Sequence, residues 1–156
     1  MKIYRIGFTG TREGLTEEQK KALRTFLQNQ FLHITKEGHF HHGDCIGADE
    51  QASFIAREVG FSIYGHPPIN PKYRAYFDND VEFESKEYLV RNHDIVDSTS
   101  LLVACPKRDL EEWRSGSWAT IRYAHKIKKE TKIIFPNGRI SSYPFKSAID
   151  RINEDL

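Results

Sequence analysis

Short apolar segments alternate with helical patterns along the whole chain, and this alternation is typical of an α/β domain. The fourth apolar segment, LLVAC, has no polar face, as expected for a central strand that helices cover on both sides. We therefore expect a three-layer Rossmann-like fold, with a largely parallel sheet of about five strands and helices on both faces. The predicted strands are Lys2–Phe8, His39–His42, Ser62–Tyr64, Leu101–Cys105 and Lys132–Phe135.

Five helices are predicted between and after these strands. The first begins at Thr16, where the sequence T-E-E-Q favours a capping box completed by Gln19. The second follows Gly47, carries apolar residues at i, i+3, i+4 and i+7, and ends at Gly60. The others are expected at about Ser85–Val96, at about Ser117–Lys128 and after Pro144.

One long segment, residues 65–84, follows neither pattern. It holds three prolines and several aromatic residues, and a loop of this length in a compact domain is usually functional. A lid, a contact between subunits and a plain surface excursion all remain open. Tyr73, Tyr76 and Phe77 form a candidate apolar patch for assembly into a homodimer or a higher homo-oligomer.

Length, charge and cysteine content narrow the class of protein. The 156 residues fit a single domain spanning 1–156, and 23 basic against 22 acidic residues give a net charge of +1, which argues against a broad polyanion-binding surface. Two cysteines are too few for a disulfide scaffold, and no apolar run approaches the roughly 20 residues of a membrane helix. No secretory signal is visible at the N-terminus. We expect a soluble cytoplasmic protein with no membrane partner.

Small and polar residues follow each of the first four predicted strands, in segments 8–12, 42–49, 65–68 and 105–120. In a parallel sheet the carboxyl ends of the strands share one edge, where ligands bind. We therefore expect a ligand site built from these segments and from the following helices. Its candidate residues are Thr9, Gly10, Thr11, Arg12, Gly43, Asp44, Gly47, Asp49, His66, Pro67, Arg91, Asn92, Ser115, Gly116, Ser117, Trp118 and Thr120.

The turn Ser115-Gly116-Ser117 is the candidate phosphate cradle, because a glycine lets the backbone approach an anion at the start of a helix. Arginines can bind phosphate bidentately, and Arg12 and Arg91 are the first candidates, ahead of Arg74 and Arg114. Trp113 and Trp118 flank the turn. Each is a candidate for stacking on a nucleobase, although Trp118 is equally suited to packing against the sheet.

Two aspartates that follow the second strand, Asp44 and Asp49, are the candidate catalytic residues. They are placed to bind ribose hydroxyls or to act as a general base, while helix capping is the structural alternative, above all for Asp49. No metal site is predicted, because His39 and His41 share one strand face and His42 points to the other. No cofactor is predicted, and nothing in the sequence around Cys45 indicates a nucleophile.

Four stretches, in these segments and in the third predicted helix, together resemble a known family. They are Gly10-Thr11-Arg12, Gly43-x-x-x-Gly47-Ala48-Asp49 followed by Ala52, Tyr88-x-x-Arg91-Asn92-x-x-Ile95, and Ser115-Gly116-Ser117-x-x-Thr120. The Rossmann-like domain of the DNA-processing A (Smf) family carries similar stretches in the same order. The resemblance extends to the SLOG superfamily, which also contains the Lonely Guy phosphoribohydrolases.

This resemblance implies a nucleotide, a nucleotide-derived ligand or single-stranded DNA at the same edge of the sheet. The first interpretation is a protein that senses or sequesters a nucleotide-type ligand. The second is a nucleotide N-glycosidase or phosphoribohydrolase, although Tyr123 stands where the Lonely Guy enzymes carry an essential glutamate. The third is a single-stranded-DNA-binding module of the DNA-processing A type.

Overall fold

The computed structural model describes residues 3–33 and 37–145, and they form one mixed sheet with helices on both faces. The strands are β1 (Ile3–Gly10), β2 (Glu37–His42), β3 (Ser62–Gly65), β4 (Val81–Glu82), β5 (Leu101–Cys105), β6 (Glu130–Ile134) and β7 (Ile140–Tyr143). The helices are α1 (Glu17–Phe31), α2 (Ala48–Val59), α3 (Tyr88–Asp97) and α4 (Gly116–Lys126), with a 3-10 turn at Pro71–Tyr73.

The strand order is β4-β3-β2-β1-β5-β6-β7, and every neighbouring pair is parallel except β6 with β7. The direction of chain progression reverses between β1 and β5. In sheets of this kind the crevice beyond the carboxyl ends of two such strands is the usual place for a ligand.

The two faces of the sheet carry separate apolar layers. Helices α1 and α2 pack on one face, over alternate residues such as Ile6, Phe8 and Phe40. Helices α3 and α4 pack on the other, where Leu102, Ala104 and Trp118 lie in the core. Residues of the two layers alternate along each strand, because successive side chains point to opposite faces of the sheet. The predicted three-layer Rossmann-like fold is therefore confirmed.

Local signals fix the starts of α1 and α2 as the sequence predicts. Thr16 and Gln19 form the complete capping box of α1, with Gln19 N to Thr16 Oγ1 and Thr16 N to Gln19 Oε1 both at 3.0 Å. Gly47 precedes α2 with φ of +86°, and a Cβ atom there would collide with the backbone carbonyl of Arg12. A glycine is thus required where α2 starts against the end of β1.

The sheet has seven strands rather than about five. The first addition, β4, is only two residues long and lies inside the proline-containing loop, so it has no periodic signal of its own. The second, β7, is polar and exposed in part, and it forms a hairpin with β6. The helix predicted after Pro144 lies outside the described residues. None of the helices in residues 3–33 and 37–145 combines the length and apolar character that crossing a bilayer requires.

The patch predicted from Tyr73, Tyr76 and Phe77 does not form as expected. Tyr76 is exposed, but Phe77 is buried in the core under α2, with its ring 5.0 Å from that of Phe54 and 5.6 Å from that of His42. The prediction for Phe77 is wrong because the loop folds back toward the sheet and uses this ring as an anchor.

Candidate functional site

A cleft opens at the carboxyl edge of the sheet, where the chain progression reverses. It has two connected parts. The larger, about 690 Å³, is called the aromatic chamber and is lined by Arg12, Cys45, Pro68, Ile69, Asn70, Tyr73, Glu87, Tyr88, Leu89, Trp113, Arg114, Ser115, Gly116 and Ala119. The smaller, about 260 Å³, is called the anion notch and is lined by Gly10, Thr11, Arg12, Tyr88, Pro106, Lys107, Glu112, Arg114, Ser115, Gly116 and Ser117.

The N-terminus of α4 forms one wall of the anion notch. The side chain of Ser115 caps the helix by accepting a hydrogen bond from Trp118 N at 3.3 Å. The backbone N–H groups of Gly116 and Ser117 have no hydrogen-bond partner among the described residues. Two free donors at the positive end of a helix dipole favour an anion at this position.

Two arginines, Arg12 and Arg114, line both parts of the cleft. Neither forms an ion pair with a carboxylate within residues 3–33 and 37–145. The guanidinium of Arg12 lies 4.0 Å from the centre of the Tyr73 ring, which holds it at the mouth of the cleft. The third cation, Lys107, is paired with Glu13 at 3.2 Å, and Glu112 is the one carboxylate in the lining of the notch. The notch therefore presents more positive than negative charge.

The aromatic chamber has an exposed indole on its wall. Trp113 is 80% exposed, which is unusual for so large an apolar side chain. The guanidinium of Arg122 lies 5.0 Å from the centre of the Trp113 ring. Tyr88 and Leu89 are also half-exposed or more. These side chains offer flat apolar surface to a planar ligand group beside the anion notch.

The glycine-rich loop between β2 and α2 is closed, in contrast, by the protein's own side chains. Arg91 is 2% exposed, and its Nη1 donates to the carbonyl oxygens of Gly43 and, at 3.3 Å, of His66. A Cβ atom on Gly43 would collide with the Arg91 guanidinium and would lie 2.9 Å from an Asp49 carboxylate oxygen. This glycine therefore makes room for an internal arginine, which ties the ends of β2 and β3 to α3.

Asp44, a predicted catalytic residue, is fully buried and engaged within the protein. Its carboxylate accepts hydrogen bonds from Arg74 Nε and from Phe77 N, both at 2.9 Å. Its backbone carbonyl accepts from Ala75 N at 2.8 Å. The aspartate thus anchors residues 74–77 of the long loop, and it lines neither part of the cleft.

Asp49, the other predicted catalytic residue, is also buried beneath the edge of the sheet. Burial raises the pKa of its carboxyl to about 6, against the opposing influence of Arg91 and of backbone N–H donors. The neighbouring Cys45 thiol lies at the floor of the aromatic chamber, with its Sγ 3.7 Å from Arg91 Nη2. Burial also raises the pKa of that thiol, to about 11, so it is a weak nucleophile at neutral pH.

Histidines and aromatic rings stack beside this closed loop. His41 Nδ1 lies 2.8 Å from His66 Nε2, and Tyr64 stacks on both His39 and His41. Burial lowers the pKa of His41 to about 3 and those of His42 and His66 to about 4. Among the described residues, no group of three or more potential ligand side chains has the geometry to hold a metal ion.

The structure brings six of the predicted residues to the cleft: Gly10, Thr11, Arg12, Ser115, Gly116 and Ser117. Thr9, Gly43, Asp44, Gly47, Asp49, His66, Pro67, Arg91 and Asn92 lie outside the lining of both parts. Trp118 is fully buried in the core between α4 and the sheet, and the buried Thr120 donates its hydroxyl to Gly116 O at 2.9 Å. The stacking role predicted for Trp118 is therefore wrong, because its side chain points along the inner face of α4.

Several lining residues were absent from the predicted set, including Lys107, Glu112, Glu87 and Tyr88. Tyr88 begins α3, and its hydroxyl lies so close to Gly116 that a Cβ atom there would collide with it. The motif that Tyr88 shares with Arg91 could have indicated a role for Tyr88. A sequence motif does not show, however, which of its side chains faces the cleft. The acidic residues give no sequence signal, because isolated glutamates are ordinary surface residues.

No known protein-family profile matches the sequence, and no curated protein sequence matches it either. Solved structures do match. The molybdenum cofactor binding protein from the phototrophic bacterium Rippkaea orientalis has a TM-score of 0.66 at 18% identity, over 98% of this chain and 83% of that one. The molybdenum cofactor carrier protein from Chlamydomonas reinhardtii has a TM-score of 0.62 at 20% identity, over 83% and 76%.

DNA processing protein A from Streptococcus pneumoniae is also similar, with a TM-score of 0.62 at 16% identity, over 97% of this chain and 54% of that protein. At these identities the likeness establishes the fold alone. That fold is the Rossmann-like fold implied by the resemblance to the SLOG superfamily, and the comparisons support the resemblance at this level.

Proposed function

We propose that this protein binds a nucleotide or a nucleotide-derived ligand, with a phosphate in the anion notch and a planar ring in the aromatic chamber. One observation carries the proposal: Arg12, Arg114 and the free N–H groups of Gly116 and Ser117 converge on the same notch, without a carboxylate paired to either arginine. On a protein with a net charge of only +1, unpaired arginines beside free backbone donors favour a specific anion over a broad electrostatic surface.

The dimensions of the cleft also support a small molecule. Sites for such ligands are typically about 300–1,000 Å³, mostly apolar, with a few polar groups that fix orientation. The aromatic chamber, at about 690 Å³, lies within this range and joins the polar notch through residues that line both. A mononucleotide has a matching arrangement, with a planar base at one end and a phosphate at the other.

Binding, as a sensor or a sequestering protein, is better supported than hydrolysis. The aspartates that would serve as acid and base lie beneath the edge of the sheet, and Asp44 is already held by Arg74. General acid–base catalysis needs a group within hydrogen-bond reach of the reacting atoms. The structural neighbours described as molybdenum cofactor carriers favour a second candidate ligand, the molybdenum cofactor itself.

Isothermal titration of the purified protein with AMP, GMP and the molybdenum cofactor tests the proposal. At least one of these ligands should bind, and Arg114→Ala should weaken that binding about tenfold or more, because hydrogen bonds to charged groups are worth roughly 1.5–3 kcal/mol. Arg24→Ala, which removes an arginine on α1 far from the cleft, is the matched control and should leave affinity unchanged. Absence of heat and of any shift in melting temperature with all three ligands would contradict the proposal.

A further inference from the structure

One carboxylate lines the aromatic chamber, and its side chain has no hydrogen-bond or ion-pair partner in the part of the chain that the structure describes. Two other polar side chains in the lining have contacts within the protein: Arg12 stacks on Tyr73, and Ser115 caps α4. Glu87 stands at the cap position of α3, but its side chain makes no capping hydrogen bond and no ion pair among the described residues. It therefore presents two acceptor oxygens to an occupant of the chamber.

A side-chain amide, that of Asn70, lines the same chamber. Ile69 N donates to Lys86 O at 3.1 Å, and Pro68 pairs with Lys86 in a parallel bridge, so the segment that leads to Asn70 runs beside the segment that leads to Glu87. Asn70 and Glu87 both line the chamber on these adjacent segments. The Asn70 oxygen accepts from Lys72 N at 3.0 Å, which leaves its amide N–H groups as the donors available to the chamber.

We propose that Glu87 and Asn70 select a guanine-type ring over an adenine-type ring in the aromatic chamber, an inference that rests on the proposed nucleotide binding. The Watson–Crick edge of guanine carries two adjacent N–H donors, on the ring nitrogen and on the amino group, and a neighbouring carbonyl oxygen. The donors match the Glu87 carboxylate, and the carbonyl matches the Asn70 amide. Such paired contacts to a base edge discriminate strongly against the wrong base.

Adenine presents the wrong pattern to the same two side chains. Its ring nitrogen N1 is an acceptor, so its lone pair would face the lone pairs of the Glu87 carboxylate. Its exocyclic amino group is a donor where Asn70 also supplies a donor. Hypoxanthine keeps the ring N–H and the carbonyl of guanine but lacks the amino group, so it satisfies part of the pattern.

Titration of the full-length protein with GMP, IMP and AMP tests this selection, because all three carry the same phosphate and ribose. GMP should bind at least about tenfold more tightly than AMP, with IMP between them. Glu87→Gln should reduce the ratio of GMP to AMP affinity to near one. Glu84→Gln removes the same charge three residues earlier, from a residue outside the chamber lining, and should leave the ratio unchanged.

The outcomes separate this inference from the proposed function. Equal binding of GMP and AMP, tighter binding of AMP, or a ratio that Glu87→Gln does not alter would overturn the selection while leaving nucleotide binding in place. Failure of all three nucleotides to bind would overturn the selection, and failure of the molybdenum cofactor as well would overturn the proposed function. A similar fall in the ratio with Glu84→Gln would show that general charge, and not the position of Glu87, sets the preference.

Discussion

The two glycine-containing loops at the carboxyl edge of the sheet both belong to the predicted ligand site, but one is closed and the other is open. The loop before α2 is closed: Arg91 and the pair of Asp44 with Arg74 fill it from within. The turn before α4 is open, with free backbone donors at Gly116 and Ser117. The difference shows that small residues leave space beside the backbone of a loop. Residues distant in sequence determine whether the protein's own side chains fill that space or leave it open to a ligand.

The electrostatic environments of the two loops also differ; the region around the loop before α2 is called the closed half, and the region around the turn before α4 the open half. In the closed half, charges are buried and balanced by neighbours, and burial shifts the pKa values of Asp49, His41, His42 and His66. In the open half, the guanidinium of Arg114 has no carboxylate partner among the described residues. Disturbing the closed half should therefore reduce stability, whereas disturbing the open half should mainly change ligand binding.

The largest expected effect is the loss of stability on acidification, which should originate in the closed half. The lowered pKa values of His41, His42 and His66 mean that the unfolded chain takes up protons below about pH 6.5 while the folded protein does not. Asp49 acts in the opposite direction, because its raised pKa lets the folded protein bind a proton below about pH 6. The three histidines outweigh the one carboxyl, so unfolding free energy should fall by roughly 3–5 kcal/mol between pH 7 and pH 5.

The groups that face these histidines act in both directions, and burial outweighs those that favour protonation. Burial is the largest cause of the lowered pKa in all three histidines. Arg5 adds to it at His41, and Arg91 adds to it at His42 and His66. Asn79 and Asp44 oppose it at His42, and Asp94 opposes it at His66. Urea unfolding at pH 7, 6 and 5 measures the effect. His66→Gln should flatten the dependence, and the exposed His125→Gln, on α4, should leave it unchanged. Constant or rising stability toward pH 5 would show that the histidines are not held neutral by burial.

The next effect in size comes from the ion pair that closes the loop. Asn keeps the size of the side chain and tolerates the positive φ of 55° at position 44. In Asp44→Asn, however, the exposed Glu82 is the one carboxylate still paired with Arg74 among the described residues. Breaking a buried pair typically costs about 3–5 kcal/mol, and we expect about 3 kcal/mol because Arg74 is not fully buried. Chemical denaturation at pH 7 measures this loss.

Asp109→Asn is the control for this change, since it removes the same charge from an exposed residue in the loop after β5 and should shift stability by no more than about 0.5 kcal/mol. The folded Asp44→Asn protein should retain its affinity for phosphate-bearing ligands. If instead affinity were lost while stability remained, Asp44 would belong to the ligand site and the closed loop would have a direct role in function.

Much of the architecture could be predicted because its signals are local. The apolar run of β5 was predicted with the observed bounds, and the capping box at Thr16 marks the start of α1. The hairpin of β6 and β7 was missed, although Asn137-Gly138 between them is a turn signal and Gly138 has φ of +89°. The strand β7 is short and polar, so nothing in its own pattern distinguishes it from a loop.

The site was predicted only in outline, because its lining depends on contacts between distant residues. The parallel direction of the strands was sufficient to predict that Arg12 and the turn at Ser115 lie at one edge of the sheet. It could not show that the side chain of Arg91 turns inward, or that Phe77 anchors the long loop in the core. An arginine in a sequence motif has the same appearance whether it binds a phosphate or two of the protein's own carbonyl groups.

The smallest expected change in stability comes from the open half, at Gly116. This glycine begins α4, where alanine is a better helix former, and the new Cβ atom would meet only the end of the half-exposed Tyr88 side chain. Gly116→Ala should therefore alter the unfolding free energy by less than about 1 kcal/mol. Its effect on binding should be larger, because the methyl group and the displaced phenol both enter the wall that the two parts of the cleft share.

The matched variant Gly116→Ala with Tyr88→Phe separates these two causes. Removing the phenol hydroxyl relieves the closest contact, so the double variant should recover part of the phosphate affinity lost by the single variant, as measured by titration with GMP. Recovery places the obstruction at the phenol, and no recovery places it at the methyl group beside the Gly116 N–H. A large loss of stability in either variant would contradict the open state of this turn. Gly116 does not have a positive φ, so such a loss would have to come from tight packing around the added methyl group.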